Sequence, residues 1–202
     1  MKHEKTKRIK LLFLGPEDED LSSYFEKRAD KVSISHLSDK INKVQIEEIK
    51  PDLIVSYGYK HIIRPEIFDN FRTINLHISY LPYNRGSNPN FWSFYDNTAK
   101  GVTIHEVAKS IDSGNIIKQK KILFSSDEFD LERTYQRLKR EMSKLFVENW
   151  ETIVYNKHTS NPQDLSKGSY YTKKDFLPFS CRLRPGWKTK TSEIMKWKKE
   201  QI

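Results

Sequence analysis

Short apolar runs alternate with amphipathic stretches along the first half of the chain. Four runs have the pattern of buried or half-buried strands, and they lie at residues 8–15, 31–37, 52–58 and 72–77. Between the first three runs, residues 21–30 and 41–50 have the apolar spacing of short helices, and Pro51 ends the second of them. This order of strands and helices predicts an α/β fold with a mostly parallel sheet and right-handed crossovers.

The second half of the chain continues with two strands and a long helix. Residues 101–107 and 114–122 have strand patterns on either side of a Ser-Ile-Asp-Ser-Gly turn. A helix is predicted over 129–154, with a stripe predicted to lie in the core: Leu131, Tyr135, Leu138, Met142, Leu145, Phe146, Trp150 and Ile153. The later residues are aromatic, basic and Pro-containing. The pattern therefore predicts a core domain over residues 1–156 and a short C-terminal extension over 157–202.

The net charge of +9 is concentrated at the two ends of the chain. Residues 1–10 carry five Lys or Arg and one Glu, and residues 167–202 carry ten Lys or Arg and three acidic residues. Solvated basic tails and attraction of an anionic ligand, such as a nucleotide or nucleic acid, both explain this distribution.

Cysteine use and the N-terminus indicate a cytoplasmic protein. Cys181 is the single cysteine, so an internal disulfide is excluded, and no Cys/His spacing typical of a metal site is present. The apolar run LLFL at residues 11–14 is too short for a signal peptide or a membrane span.

Candidate chemistry begins at the end of the fourth strand. Asn75 and His77 are two residues apart on it, so their side chains point to the same face, about 6.6 Å apart. Ligands of open α/β sheets bind outside the carboxyl ends of strands. Tyr57 and Gly58 end the preceding strand, and Asp112 follows the next one, so we expect these residues to share a crevice. Capping and local pairing also place polar residues at strand ends.

Two linked motifs resemble the signature of the folate-dependent formyltransferases. The stretch NLHISYLPYNRGSNP, residues 75–89, matches the N-x-H pair and the S-x-L-P-x-x-R-G-x-x-P loop of that family, and GVTIHEV with Asp112-Ser113-Gly114 follows at the family's spacing. Residues 56–68, SYGYKHIIRPEIF, are similar to the segment that lines the folate pocket in sugar N-formyltransferases. The resemblance covers residues 52–122 and implies a Rossmann-like formyltransferase core that uses 10-formyltetrahydrofolate as co-substrate, without a metal.

The resemblance also implies roles for individual side chains. A primary amine attacks the formyl carbon, and the amide of Asn75 and an N–H of His77 stabilise the resulting oxyanion. Asp112 accepts a proton through a water and orients the imidazole. Contacts with the folate are expected from Lys60, His61, Ile62, His105 and Ile111. For His105, a core histidine with satisfied hydrogen bonds is an equally good interpretation.

The identity of the amine is the remaining question. NPNFWSFYDNTAKGVTIHEV and GSYYTKKD are most similar to nucleotide-sugar N-formyltransferases, which implies a dTDP- or UDP-linked amino sugar and a role in O-antigen or lipopolysaccharide synthesis. The apolar, aromatic C-terminal extension predicts a homodimer, and no membrane contact is expected. Aromatic rings beside lysines suit a base and a diphosphate, although a basic surface hairpin has the same composition. Substrate contacts are expected from Tyr83, Asn84, Arg85, Trp92, Tyr171 and Lys173.

Three alternatives are less consistent with the sequence. A glycinamide ribonucleotide formyltransferase should have a glycine-rich phosphate loop where this chain has GPEDEDLSSYF. A methionyl-tRNA formyltransferase should have a larger C-terminal domain than the residues after Asn156 supply. A non-enzymatic nucleic-acid-binding module would not need Asn75, His77 and Asp112, and nucleic acid is therefore not the expected partner.

Overall fold

A mixed β-sheet forms the centre of the protein in a computed structural model that describes residues 8–125 and 129–198. The strands within these ranges are β1 (Ile9–Leu14), β2 (Val32–Leu37), β3 (Leu53–Tyr57), β4 (Thr73–His77), β5 (Arg85–Gly86), β6 (Gly101–Glu106), β7 (Ile116–Lys121) and β8 (Tyr170–Tyr171). Six of them form the sheet in the order β2-β1-β3-β4-β6-β7, and β5 pairs with β8. The prediction of an α/β fold is confirmed. The basic residues 1–7 of the predicted N-terminal tail lie outside the described residues.

Helices connect the strands and follow the sheet. They are α1 (Glu19–Glu26), α2 (Lys43–Ile49), α3 (Pro65–Phe68), α4 (Pro89–Tyr95), α5 (Leu131–Val154), α6 (Lys173–Ser180) and α7 (Thr191–Trp197). Polar caps fix several of their first turns. The Asn42 side chain accepts from the Gln45 amide at 3.0 Å in a capping box, and the Asp130 carboxylate accepts from the Arg133 amide at 2.7 Å at the start of α5.

The sheet is parallel through its first four strands and antiparallel beyond them. β4 pairs antiparallel with β6, because the connection of residues 78–100 stays at the carboxyl end of β4 and does not cross the sheet. The carboxyl end of β6 therefore lies at the opposite edge of the sheet from that of β4, and Asp112 shares the crevice as expected but reaches it through the loop that follows β6. Glu106 at the carboxyl end of β6 pairs with Ile74, near the start of β4, and residues 107–115 bring Asp112 back to Asn75.

The two faces of the sheet are covered differently. Leu11 and Phe13 pack with α1 and α5 in the largest apolar cluster, whereas Leu12 and Leu14 pack with α2 and α3 on the opposite face. On β4, Leu76 belongs to the α5 face, so the alternating Asn75 and His77 point to the other face. Loops rather than a helix meet that face over β4 and β6, which leaves room for a cleft.

One predicted core position is exposed instead. Tyr135 on α5 is 42% exposed and lines the cleft described below. Helical spacing assigns a residue to one side of a helix, but it does not show where the neighbouring layer ends.

The C-terminal extension packs on α4. Ile194 and Trp197 of α7 are buried against Phe91 and Trp92, so the extension shares an apolar cluster with the connection between β4 and β6. The domain division after residue 156 stays a prediction. No helix in residues 8–125 or 129–198 has the length and hydropathy that crossing a bilayer requires.

Candidate active site

An open cleft of about 570 Å³ lies on the loop-covered face of the sheet. Asn75 and His77 of β4 line it, together with Asp112 from the loop after β6. The cleft also receives residues from the loop after β3, from α5 and from the segment that begins α6. The three residues of the predicted catalytic set are therefore brought together, although their catalytic roles stay predictions.

Asp112 is the centre of the polar contacts in the cleft. Its Oδ1 accepts a hydrogen bond from the Asn75 side-chain amide at 3.0 Å, and its Oδ2 lies 3.6 Å from Nδ1 of His77. Both the Asp112 and the His77 side chains are about nine-tenths buried. The carboxylate thus holds the amide and the imidazole on either side of itself.

The backbone of β5 supplies a further donor to this carboxylate. The Gly86 amide donates to Oδ2 of Asp112 at 2.8 Å. Gly86 has a φ of +89°, and a Cβ at this position would lie 2.2 Å from the Tyr171 carbonyl oxygen. Glycine therefore lets β5 approach both β8 and Asp112. The Arg-Gly motif pointed to this loop, but it did not indicate that the glycine amide contacts the carboxylate.

The partners of the His77 ring determine its tautomer. Nε2 lies 3.1 Å from the Asn84 carbonyl oxygen, which only accepts hydrogen bonds. In the neutral imidazole, Nε2–H therefore donates to Asn84, and Nδ1 is left as the basic nitrogen next to Asp112.

Burial and hydrogen bonding set the protonation of this pair. Burial lowers the pKa of His77 below 6.5, although the Asp112 carboxylate opposes that shift. Burial alone would raise the pKa of Asp112, but His77, His105 and the Gly86 amide together hold that pKa well below its usual range. At neutral pH, the cleft therefore contains an ionised carboxylate beside a neutral imidazole.

His105 has partners on both of its ring nitrogens. Nδ1–H donates to the Glu106 carbonyl oxygen at 2.7 Å, so Nε2 accepts from the Asn75 amide at 3.2 Å. His105 is buried and also lines the cleft. These contacts favour the interpretation as a satisfied core histidine, and a folate contact stays a prediction. They also show that the Asn75 amide donates to both Asp112 and His105.

The other four predicted folate residues all line the cleft. They are Lys60, His61, Ile62 and Ile111. Ile62 is 74% exposed and Ile111 is 43% exposed, so two large apolar side chains at the cleft stand largely in water. A flat, partly apolar ligand would bury this surface.

Two of the six predicted substrate residues line the cleft, namely Tyr171 and Lys173. Tyr83 and Arg85 are partly buried in the neighbouring loop but do not contribute to the lining. The Arg85 guanidinium lies 5.8 Å from the Tyr170 ring centre, while its Nε is buried and has no hydrogen-bond partner in the part of the chain that the structure describes.

Asn84 and Trp92 are buried and do not line the cleft, so their contact with a substrate stays a prediction. The Asn84 side chain is fully buried, and its amide donates to the Thr98 hydroxyl at 2.9 Å. Trp92 is 3% exposed and stacks on Tyr171 at 3.9 Å between ring centres. Internal contacts with Thr98 and Tyr171 occupy the surfaces of these side chains that a ligand would need. Asn84 and Trp92 therefore support the residues that line the cleft.

Sequence reasoning missed several residues of the lining. Tyr135 of α5 was assigned to the apolar stripe, and Lys109 was not singled out for the site. A tyrosine in an apolar stripe is a weak signal for a cleft, because its hydroxyl needs a polar partner or water. Within the described ranges, no cluster of three or more His, Cys, Asp or Glu is arranged to hold a metal ion.

The chain is similar in sequence to a known protein family and to individual members of it. Residues 16–149, about two thirds of the chain, match the family described as formyl transferase. The chain is 32% identical over 125 residues to dTDP-4-amino-4,6-dideoxyglucose formyltransferase of Mycobacterium bovis, covering 62% of this chain and 53% of that protein. It is 34% identical over 140 residues to methionyl-tRNA formyltransferase of Sulfurimonas denitrificans, covering 69% of this chain and 45% of that protein. The chain thus spans about half the length of these curated relatives.

A solved structure matches over nearly the whole chain. The formyltransferase PseJ from Anoxybacillus kamchatkensis superposes with a TM-score of 0.86 at 39% identity, covering 94% of this chain and 98% of PseJ. That structure is a complex with UDP-4,6-dideoxy-4-formamido-L-AltNAc and tetrahydrofolate.

Proposed function

This chain belongs to the formyl transferase family, and we propose that it transfers a formyl group from 10-formyltetrahydrofolate to the primary amine of a nucleotide-linked amino sugar. The observation that carries the proposal is the contact of Asp112 with both Asn75 and His77 in an open cleft. The similarity to PseJ, a formyltransferase whose structure contains a UDP-linked formamido sugar, supports the same choice of substrate class.

The protonation states of the site suit this reaction. The basic Nδ1 of neutral His77 accepts the proton that the attacking amine must lose, and ionised Asp112 at 3.6 Å stabilises the imidazolium. The imidazolium is then the source of the proton that the leaving nitrogen requires. The Asn75 amide donates to the negative charge that develops on the formyl oxygen, in exchange for its longer contact with His105.

The folate co-substrate fits the residues that the loop after β3 supplies. Ile62 and Ile111 offer apolar surface to a pterin ring, and Lys60 and His61 lie beside them in the lining. Bound in this way, the co-substrate supplies the formyl group next to Asn75 and His77. The cleft volume of about 570 Å³ lies within the range of small-molecule sites.

The sugar nucleotide is proposed to bind against the tyrosines of the cleft. Tyr135, Tyr170 and Tyr171 offer ring faces and edges for a base or a sugar, and Lys173 offers a charge for a diphosphate. This arrangement supports either UDP or dTDP. A direct contact from Asn84 or Trp92 is not part of the proposal.

Methionyl-tRNA is the second candidate acceptor. The 34% sequence identity to methionyl-tRNA formyltransferase of Sulfurimonas denitrificans favours it, as do the basic C-terminal residues, because RNA is a polyanion. The match to PseJ over nearly the full length of both chains favours the sugar nucleotide.

The remaining parts of the proposal concern the cell and the assembly. We place the protein in the cytoplasm, where its exposed Cys181 stays reduced, and assign its product to O-antigen or lipopolysaccharide synthesis. A homodimer is proposed on the exposed apolar side chains of the C-terminal extension, Leu177 at 64% and Trp187 at 49%.

The test is a panel of acceptors offered to the purified protein with 10-formyltetrahydrofolate. The panel contains UDP- and dTDP-linked amino sugars, glycinamide ribonucleotide and methionyl-tRNA, and mass spectrometry follows the gain of one formyl group. We expect a gain on at least one sugar nucleotide. A gain on methionyl-tRNA alone, or on no acceptor, would contradict the proposal.

A further inference from the structure

The side chain of Gln163 clamps the turn that carries Asp112. Its Nε2 donates to the Asp112 carbonyl oxygen at 3.0 Å and to the Gly114 carbonyl oxygen at 2.6 Å. The orientation of this amide is fixed, because the flipped amide would place Oε1 against two carbonyl oxygens. Both hydrogens of one amide therefore hold the two ends of the Asp112-Ser113-Gly114 turn.

This turn needs an external restraint. Asp112 has a φ of +51°, which lies in the left-handed region that residues with a Cβ adopt at a cost in free energy. Gly114 packs so closely on the end of β6 that a Cβ there would lie 1.8 Å from the Glu106 carbonyl oxygen. Small changes in the turn would therefore move the Asp112 carboxylate relative to His77.

The segment around Gln163 is itself anchored to the sheet. Asn161 and Ile116 exchange two backbone hydrogen bonds, at 2.8 and 2.9 Å, so the chain is fixed two residues before Gln163. Further along the same segment, β8 pairs with β5, whose Gly86 amide donates to Asp112. Residues 161–171 thus contact both loops that hold the carboxylate.

The two ends of the Gln163 amide have different surroundings. Its Oε1 is buried without a hydrogen-bond partner among the described residues. A buried acceptor without a partner destabilises the folded state, so stability alone gives a poor reason for an amide here. The donation to the two carbonyls is the interaction that distinguishes glutamine from an apolar residue of the same size.

We infer that Gln163 is a positioning residue for formyl transfer, which fixes the Asp112 carboxylate against Asn75 and His77 through the backbone of the turn. The inference rests on the proposed function for its catalytic consequence. It assigns to the C-terminal extension a part in the reaction itself, in addition to any contact with the substrate.

The first test compares Gln163→Met with a matched control. Methionine keeps the size of the side chain and removes both donors. Asn90 is the control position, because its buried amide also donates to two oxygens, the Leu131 carbonyl and the Thr134 hydroxyl. Its Oδ1 also lacks a hydrogen-bond partner within residues 8–125 and 129–198. Asn90 does not line the cleft, so Asn90→Leu removes an equivalent clamp without moving Asp112.

We expect Gln163→Met to lower kcat by about 10- to 100-fold, with KM for both substrates changed less than about twofold, since misplacement of a reacting group mainly lowers turnover. Asn90→Leu should lower the melting temperature comparably and keep most of the wild-type kcat. Wild-type kcat in Gln163→Met, or an equal loss in Asn90→Leu, would overturn the inference. If Gln163→Met does not fold, Gln163→Asn, whose shorter amide cannot reach both carbonyls, replaces it with the same expectation.

A second readout needs no substrate. The His77 ring pKa is followed by NMR in the free protein, where Asp112 and His105 are the titratable groups that act on it. Displacement of the carboxylate should lower the His77 pKa further in Gln163→Met and leave it unchanged in Asn90→Leu. If the wild-type protein formylates no acceptor, the proposed function fails, and this titration alone decides on Gln163: an unshifted His77 pKa in Gln163→Met overturns the positioning role.

Discussion

The two titratable side chains at the centre of the cleft differ in charge, because Asp112 is anionic and His77 is neutral. Asp112 is buried yet ionised, because His77, His105 and the Gly86 amide together hold the pKa of its carboxyl well below the usual range. His77 is buried and neutral, and the Asn84 carbonyl fixes which nitrogen carries its proton. Two neighbouring titratable groups in different protonation states can take different tasks in a reaction. Here His77 would accept a proton, and Asp112 would stabilise the resulting imidazolium.

His77→Asn should lower turnover by at least about 100-fold, because a positioned proton acceptor contributes roughly that much. The measurement is the steady-state formylation rate of the sugar nucleotide that the panel identifies. His36→Asn is the control, because His36 on β2 stacks on Phe13 of β1 and does not line the cleft. Near-normal turnover of His77→Asn would remove His77 from the mechanism.

The free energy of unfolding should decrease as the pH is lowered, and His77 should account for part of that decrease. The folded protein keeps this imidazole neutral below its usual pKa of 6.5, so the unfolded chain binds more protons in that range, and stability decreases as the pH falls below 6.5. One such group changes the free energy of unfolding by at most about 1.4 kcal/mol per pH unit. Urea unfolding between about pH 7.5 and about pH 5.5 should show a smaller loss for His77→Asn than for the wild type. Equal losses in the two proteins would show that His77 is not held neutral.

The sequence predicted the direction of a side chain correctly where that direction depends only on spacing along a strand. Asn75 and His77 share a face because strand side chains alternate, and this holds in any register. Burial of Asn84 and Trp92 was not predictable, since it depends on how the loop after β4 folds against β8 and α7. The role of Gln163 had no sequence signal, because an isolated glutamine in a segment without periodicity has no preferred partner.

At the scale of elements, the segment of β8 and the start of α6 connects the extension to the cleft. Tyr171 stacks on Trp92 and donates to Asp96 through its hydroxyl, and burial raises the pKa of that hydroxyl. The capping box of Thr172 and Asp175 starts α6 immediately afterwards, which places Lys173 in the cleft lining. The composition of GSYYTKKD suggested aromatic and basic contacts, but the pairing of β8 with β5 is a long-range contact that local patterns do not reveal.

Lys173→Ala should raise KM for the sugar nucleotide by about 5- to 150-fold, the range for loss of one charge-assisted contact. The rate constant should change little, because a contact remote from the amine is lost equally from the ground and transition states. Lys174→Ala is the matched control, since this neighbouring lysine is exposed and does not line the cleft. Equal KM values for both variants would argue that the diphosphate binds elsewhere.

The antiparallel direction of β6 relative to β4 could not be predicted from the sequence. Strand patterns at 101–107 and 114–122 were found correctly, but strand patterns contain no direction. Direction follows from where residues 78–100 run, and the short helix α4 within them is buried over its whole length apart from its first residue. Its uniformly buried surface has no amphipathic period, so periodicity did not indicate a helix.

At the scale of the whole molecule, exposed apolar side chains coincide with the basic extension. Leu177 and Trp187 are both largely exposed there, while Lys174, Arg184 and Lys188 are exposed nearby in sequence. Apolar groups of this size in water favour association, and the proposed homodimer would cover them.

Sedimentation velocity tests this assembly. The wild type should sediment as a dimer, and Trp187→Glu should shift it to the monomer, because a carboxylate resists burial in an apolar interface. Val44→Glu is the control, since Val44 is also an exposed apolar side chain but lies on α2, outside the extension, and the variant should leave the dimer intact. A wild-type monomer at all concentrations would contradict the proposed dimer, as would an unchanged dimer in Trp187→Glu.

The central claim is that the cleft around Asp112 moves a formyl group from folate to a sugar amine. The most direct measurement uses 10-formyltetrahydrofolate with an isotopically labelled formyl carbon and follows the label by NMR, with wild type and Asp112→Asn in parallel. The account predicts that the label appears as a formamide on the sugar nucleotide while an equal molar amount of tetrahydrofolate is released. Asp112→Asn, which keeps the shape of the side chain and removes its charge, should slow both events together. Release of labelled formate without a labelled sugar, or full transfer by Asp112→Asn, would contradict the account.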